Sequence, residues 1–299
     1  MSRSERAVPY LFILPFALIF IMFLGLPFFY AFYLSFHKVV DLSNVFGGLK
    51  FVGLENYKEV VLGFEFWWAL ALTLIYALIM IPLNIVLALI IARMLLPDNR
   101  INRVYRALFF LPFVLDAFVV GVVWTLLYAT PYGVIAQLMS KVGIAPPTGG
   151  FLGNPKLALP SVAIAMVLKN IGFGIILFIA AFGNIPKELF EAAELDGANA
   201  FQRTIHITIP MLKPIIAFLV IVGFMGALSG FAEIYAMTGG GPIVQVGSHL
   251  VGATKITGFL LYEHLQQLRL GMASALSFVL LTFALAFSLI SLKILRRGD

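Results

Sequence analysis

The chain has 299 residues, is 62% hydrophobic and only 11% charged, and carries a net charge of +6. A soluble domain of that length needs far more charge to cover its surface, so the composition excludes one and points to a membrane protein. There is no cysteine, which rules out disulfides, thiolate metal sites and thiol nucleophiles. The basic residues form no stripe and no nucleic-acid motif, so no nucleic-acid partner is expected.

Taken in chain order, Arg3 and Arg6 precede an uncharged apolar run from Leu11 to Phe36. That run is longer than the apolar region of a signal peptide and no small-residue cleavage site follows it, so it reads as a retained span. About 20 apolar helical residues cross a bilayer core. Six stretches qualify, over residues 9–36, 66–92, 107–130, 157–183, 215–237 and 270–292. Helices satisfy every backbone group inside lipid, and the ten-residue alternation of a membrane β-barrel is absent. The expected fold class is therefore an all-α integral membrane protein with six transmembrane helices. It forms one transmembrane domain over 1–299, with no second copy of any distinctive motif. Its place is the cell membrane, in contact with membrane lipid.

With the N-terminus inside, twelve Lys and Arg fall in cytoplasmic segments and seven in outer ones. The bias is sharpest in the 93–106 loop, with Arg93, Arg100, Arg103 and Arg106, and in the two tails. This distribution predicts that both termini are cytoplasmic. Trp67, Trp68, Tyr10 and Tyr128 stand near span ends, as an interfacial aromatic belt requires.

The inside loop over 184–214 is patterned. Pro186 suits the first turn of a helix, the Glu-, Leu- and Ala-rich stretch to Asp196 favours one, and Gly197 fits its end. Asn199 and Gln202 are spaced as a capping box for a second short helix. On that helix Phe201 and Ile205 share a face, and Pro210 and Pro214 mark re-entry into the fifth span. Two short helices meeting at a glycine form a knob with an apolar face. That face suits either a protein partner or the lipid headgroups.

The same loop carries a resemblance. Glu191, Ala192, Ala193, Gly197 and Pro210 match the EAA loop of bacterial ABC importer permeases, and Asp196 and Ile207 lie within it. FVGLENY at 51–57, RALFFLP at 106–112, MTGGGP at 237–242 and GMASA at 271–275 extend the likeness over nearly the whole chain. The chain resembles the carbohydrate importer permeases of the maltose and glycerol-phosphate type. The resemblance implies a type I importer fold and a non-enzymatic subunit forming half of a sugar path by alternating access. The knob, with Glu191, Ala192, Ala193, Asp196, Gly197, Phe201, Ile205 and Pro210, would dock as a coupling helix on one of two ATPase subunits. A second permease, usually a different chain, would complete the path, and an extracytoplasmic solute-binding protein would deliver a sugar-like substrate. ATP and Mg would be used on the ATPases, with no cofactor held here. No GxxxxGK[ST] phosphate loop occurs in the sequence. By register within the family, Asn170, Phe173, Gly223, Ala227, Gly230 and Glu233 would line the substrate path. Gly223, Ala227 and Gly230 would share one helical face, where small residues serve either a ligand or close helix packing.

Three ionisable residues fall within predicted spans: Asp116, Lys169 and Glu233. Such groups are costly in the bilayer and are functional candidates. Asp116 and Lys169 come to similar depth and are expected to form a buried ion pair, or else to face the path. His37, His206, His249 and His264 show no metal-ligand spacing, and no catalytic constellation is recognisable. The competing functions are an ion-coupled secondary transporter, which would use the internal charges for proton coupling, and a membrane-embedded enzyme.

Overall fold

Five stretches of helix among the described residues are long and apolar enough to cross a bilayer: Phe12–Leu34, Phe64–Met94, Ala158–Phe182, Ala200–Ser229 and Leu270–Lys293. A bent pair of helices, Arg100–Val114 and Ala117–Tyr128, brings the number to six when the pair is counted as one span. The computed structural model describes residues 3–40 and 48–296, with side chains between 12 and 293. The side chains of Arg3, Arg6, Tyr10 and Arg296, and Arg297 entirely, lie outside the described residues.

The chain divides into two units, Met1–Phe66 with Leu261–Thr282, and Trp67–Leu260 with Phe283–Asp299. In the first, α1 (Arg3–Phe20) passes through a π turn (Ile21–Gly25) into α2 (Leu26–Leu34). Between Phe12 and Leu34 this span exposes its phenylalanines on most sides, as an apolar helix in lipid can. Strands β1 (His37–Val39) and β2 (Leu49–Phe51) pair antiparallel, Lys38 opposite Lys50, and lead to α3 (Glu55–Leu62). Asn56 ties this end together. Its buried amide donates to the Ser35 carbonyl at 2.9 Å and the His37 carbonyl at 3.0 Å.

The second unit takes up most of α4 (Phe64–Met94), then α5 (Arg100–Val114), α6 (Ala117–Tyr128), α7 (Val134–Lys141), α8 (Gly150–Gly153) and α9 (Ala158–Phe182). It continues through α10 (Lys187–Leu195), α11 (Ala200–Arg203), a π turn (Thr204–Thr208), α12 (Ile209–Ser229) and α13 (Ala232–Met237). A hairpin of β3 (Ile243–Val246) and β4 (His249–Gly252) follows. The last helices, α14 (Thr257–Gln266) and α15 (Leu270–Arg296), contribute residues to both units.

Two predicted spans are corrected by the structure. The third, expected as one helix over 107–130, bends by 102° between α5 and α6. Pro112 lies in the last turn of α5, and Leu115 and Asp116 are both extended. Asp116 serves as N-cap of α6, accepting from the Phe118 amide at 2.8 Å. The fifth, expected over 215–237, starts at Ala200 and breaks at Gly230, whose backbone is extended. The second short helix of the inside loop is therefore the first turn of this span, joined to it through the π turn.

Alanines and glycines let the spans approach closely. Ala88 and Ala92 of α4 are fully buried in one apolar cluster with Ile171, Ile175 and Phe178 of α9 and Leu212 and Leu219 of α12. A Cβ added at Gly172 would collide with the Phe109 carbonyl of α5, and one at Gly174 would meet the Ala88 Cβ at 2.8 Å. At the turn between α4 and α5, Arg106 donates to the Leu95 carbonyl at 2.6 Å and also reaches Leu96, satisfying the end of α4. Asp98, beside it, bonds Arg103 at 3.0 Å, and that hydrogen bond holds its carboxyl below the usual carboxylate range.

The α5–α9 contact generates a prediction. Gly172→Ala forces backbone apart and should destabilise the solubilised protein by about 1–3 kcal/mol, the usual cost of overpacking. Gly226→Ala, where no atom lies within 4 Å of the added Cβ, should stay within about 0.5 kcal/mol, as substitutions away from packed contacts do. Thermal unfolding in detergent compares them. Equal midpoints for the two variants would refute the close approach.

Candidate functional site

The second unit encloses a cavity of ≈ 370 Å³, and three spans line it with one helical face each. From α9 come Met166, Lys169, Asn170 and Phe173, and from α12 Leu219, Val222, Gly223 and Gly226. Both sets are spaced i, i+3, i+4, i+7, which is one side of an α-helix. Tyr76, Ile81 and Asn84 contribute from α4. The remaining wall is made at the two helix breaks: Phe113 and Ala117 flank the bend between α5 and α6, and Gly230 and Glu233 flank the break after α12. Irregular backbone at membrane depth is tolerated where it is buried in protein or lines a cavity, and both breaks border this one.

Glu233 stands in the first turn of α13, 7% exposed, and accepts a hydrogen bond from Tyr76 at 3.2 Å. A Cβ on Gly230 would lie 2.6 Å from the Glu233 Oε1 and 3.2 Å from the Gly226 carbonyl, so only a bare backbone leaves the carboxylate its place. The break after α12 is itself paired. Thr257 donates to the Leu228 carbonyl at 2.9 Å, which the break at Gly230 deprives of a helical partner, and its amide donates to Thr73 at 2.9 Å. Phe113 and Phe173 stack in the wall with ring centroids 4.8 Å apart.

Asn170, Phe173, Gly223, Gly230 and Glu233, all named from the sequence, are thus brought to one cavity. Ala227 is not. It is fully buried in helix packing, because one step along a helix turns the side chain by about 100° and the cavity faces Gly226. The expected shared face of Gly223, Ala227 and Gly230 is also corrected, since α12 ends at Ser229. The Asp116–Lys169 ion pair does not form. Asp116 is exposed and spends its carboxylate on capping α6. Lys169 donates instead to the Phe113 carbonyl at 3.3 Å and lies 5.4 Å from that ring's centroid. No carboxylate comes within 4.0 Å of it among the described residues. Tyr76, Asn84 and Gly226 were missed. The available signal for the first two was that they are among the few polar residues of a largely apolar span, which also holds Thr73.

The inside loop holds a second constellation. α10 ends at Asp196, and Gly197 turns the chain with φ +77°. Asn199 and Gln202 form the reciprocal capping box that opens α11. Arg203 bonds Glu194 at 3.3 Å across the turn, and Arg93 donates to Thr204 at 2.5 Å. The loop is anchored by Ile185, Phe190 and Ile207 on the apolar cluster. Glu191, Ala192 and Asp196 are exposed, Ala193 and Pro210 partly covered. The outer surface presents Leu195 at 89%, Phe201 at 72% and Ile205 at 41% exposure, a concentration of bare apolar side chains beside charged ones.

Known proteins share this design. The family described as the binding-protein-dependent transport system inner membrane component matches residues 84–297. A probable ABC transporter permease, YurN of Bacillus subtilis, is 32% identical over 302 aligned residues that take in 100% of this chain and 99% of that protein. The trehalose/maltose transport system permease MalF of Thermococcus litoralis is also 32% identical, over 98% of this chain and 95% of its own. In solved structures, a chain of a bacterial ABC transporter involved in import of the acidic polysaccharide alginate has the same fold. Its TM-score is 0.77 at 23% identity, covering 98% of this chain and 96% of that one. With its apolar spans, its patterned inside loop and a match across more than two thirds of its length, this chain belongs to the inner membrane component family of binding-protein-dependent transport systems.

Proposed function

We propose that the chain, 1–299 as one transmembrane permease domain, forms half of the solute path of an ATP-driven importer, and that the cavity between α4, α9 and α12 is that path. The observation that carries the reading is the cavity itself, walled by three spans and by two helix breaks. Family membership sets aside the gradient-driven transporter and the membrane enzyme. The relatives' names, trehalose/maltose and arabinooligosaccharides among them, favour a sugar or similar polar solute. The stacked Phe113–Phe173 pair, with Asn84 and Asn170 beside it, supplies an apolar face and amides, the two things a sugar ring engages.

The 184–214 loop is the coupling element. Leu195, Phe201 and Ile205 are exposed on a loop that Ile185, Phe190 and Ile207 anchor to the apolar cluster, the arrangement of a docking knob. Its partner is an ATPase subunit, one of two that use ATP and Mg. A second permease and an extracytoplasmic binding protein complete the assembly. Both termini lie on the cytoplasmic side, with the coupling loop.

Four outcomes follow. Gly226→Leu fills open space in the cavity and should lower uptake at least tenfold in reconstituted vesicles while the complex still assembles; normal uptake would remove the cavity from the path. Gly197→Val imposes positive φ on a β-branched residue and should uncouple ATP hydrolysis from uptake with the spans still inserted. A cysteine at Ala192, in a chain with none of its own, should crosslink to the ATPase. Normal uptake by Gly197→Val together with no crosslink anywhere between 191 and 205 would return the knob to the lipid headgroups. For topology, cysteines at Asn102 and Asn199 should label only from the cytoplasm and one at Gly149 only from outside; outside labelling at Asn199 reverses the orientation.

A further inference from the structure

Lys169 is the twelfth of the 25 residues of α9, so its ammonium sits at mid-span. A charge there is expensive unless it is partnered. The partners found are a carbonyl and an aromatic face, both of Phe113. That carbonyl is released by the end of α5, and the ammonium thereby caps the negative end of the helix. One of its three donors is so used. The carboxylates of the region are hydrogen-bonded to other groups, Asp116 to the Phe118 amide and Glu233 to the Tyr76 hydroxyl; both act on the ammonium electrostatically, but neither comes within 4.0 Å of it. Next to Lys169 in the cavity wall, the Asn170 amide makes no hydrogen bond among the described residues, and it is partly exposed. An ammonium with donors to spare and an unused amide, side by side on an otherwise apolar wall, form a receptor for an anionic oxygen group.

We propose that the solute taken by this cavity is a saccharide bearing a single carboxylate, held by Lys169 and Asn170. The proposal rests on the reading of the cavity as the solute path. A carboxylate offers the ammonium a full charge and two acceptor oxygens, a stronger charge-assisted contact than a neutral hydroxyl makes. A dianionic phosphate is disfavoured, because it brings a second negative charge into a cavity that Glu233 already lines.

The test uses the assembled permease–ATPase complex in nanodiscs without the binding protein, and three matched radiolabelled probes: cellobiouronate, cellobiose and cellobiose 6-phosphate. Cellobiouronate should bind at least tenfold more tightly than either of the others. Lys169→Arg should keep that preference and Lys169→Met should abolish it. Lys169 also caps α5, so the folding of Lys169→Met is checked by thermal unfolding, and Asn170→Ala, which leaves the cap intact, should weaken binding of the acid about tenfold more than binding of cellobiose. The proposal is overturned if the acid fails to bind, if cellobiose or the phosphate binds as well, or if folded Lys169→Met and Asn170→Ala both retain the preference. Gly226→Leu separates the two readings. Loss of all sugar binding in that variant, with no preference for the acid in the parent, sinks the carboxylate assignment but keeps the path. Undiminished binding of all three probes in Gly226→Leu removes the path itself.

Discussion

Within a bilayer no water is available to an idle N–H or C=O, so each interruption of a helix must be answered by a group from elsewhere in the protein. The two interruptions here are answered individually. At the bend between α5 and α6, Asp116 takes the Phe118 amide and Lys169 serves the Phe113 carbonyl. At the break after α12, Thr257 reaches the Leu228 carbonyl and is itself bonded to Thr73. These pairings make irregular backbone tolerable at that depth, and the space left where the helices turn aside is the cavity. The polar residues around it are consequently of two kinds. Asp116 and Thr257 repair the backbone, Asn170 and Glu233 face the void, and Lys169 does both.

The second constraint is how closely the spans can approach. Lipid tails compete with apolar side chains for the same contacts, so helix association depends on shape and on short distances. Gly172 lets α9 lie against the Phe109 backbone, and Gly121 lets α6 approach α13, where an added Cβ would meet that of Ala236 at 2.8 Å. Both contacts involve the helices flanking the breaks. Tight packing of α5 on α9 and of α13 on α6 therefore holds the cavity wall in register even though two of its spans are discontinuous.

The 184–214 loop is held by local contacts instead. Its shape follows from local chemistry: a glycine in the left-handed region, a capping box immediately after it, and one ion pair between Glu194 and Arg203 across the turn. Because α11 runs through the π turn into α12, the knob is the end of the same 30-residue helix that lines the cavity. Phe201 and Ile205 therefore stand on the same helix as Gly223 and Gly226. That gives the loop and the cavity a direct physical connection.

The spans were legible because twenty apolar residues in a row have few alternatives to crossing a bilayer, and the knob was legible because Gly197, Asn199 and Gln202 act on their own neighbours. The family resemblance likewise rested on local words such as EAAELDG and FVGLENY. What the chain could not disclose by itself was which polar groups would meet. Asp116 reads equally as a mid-helix charge and as an N-cap, and the choice depends on whether α5 stops at Val114 to pack on α9. The partner of Lys169 is a carbonyl 56 residues away, and that of Glu233 is a tyrosine 157 residues away. Gly226 and Ala227 differ by one position and are both small. Only the placement of α4 and α9 around α12 decided that the first faces the cavity and the second is sealed in the core, since the orientation of a helix about its own axis is a property of its neighbours and not of its sequence.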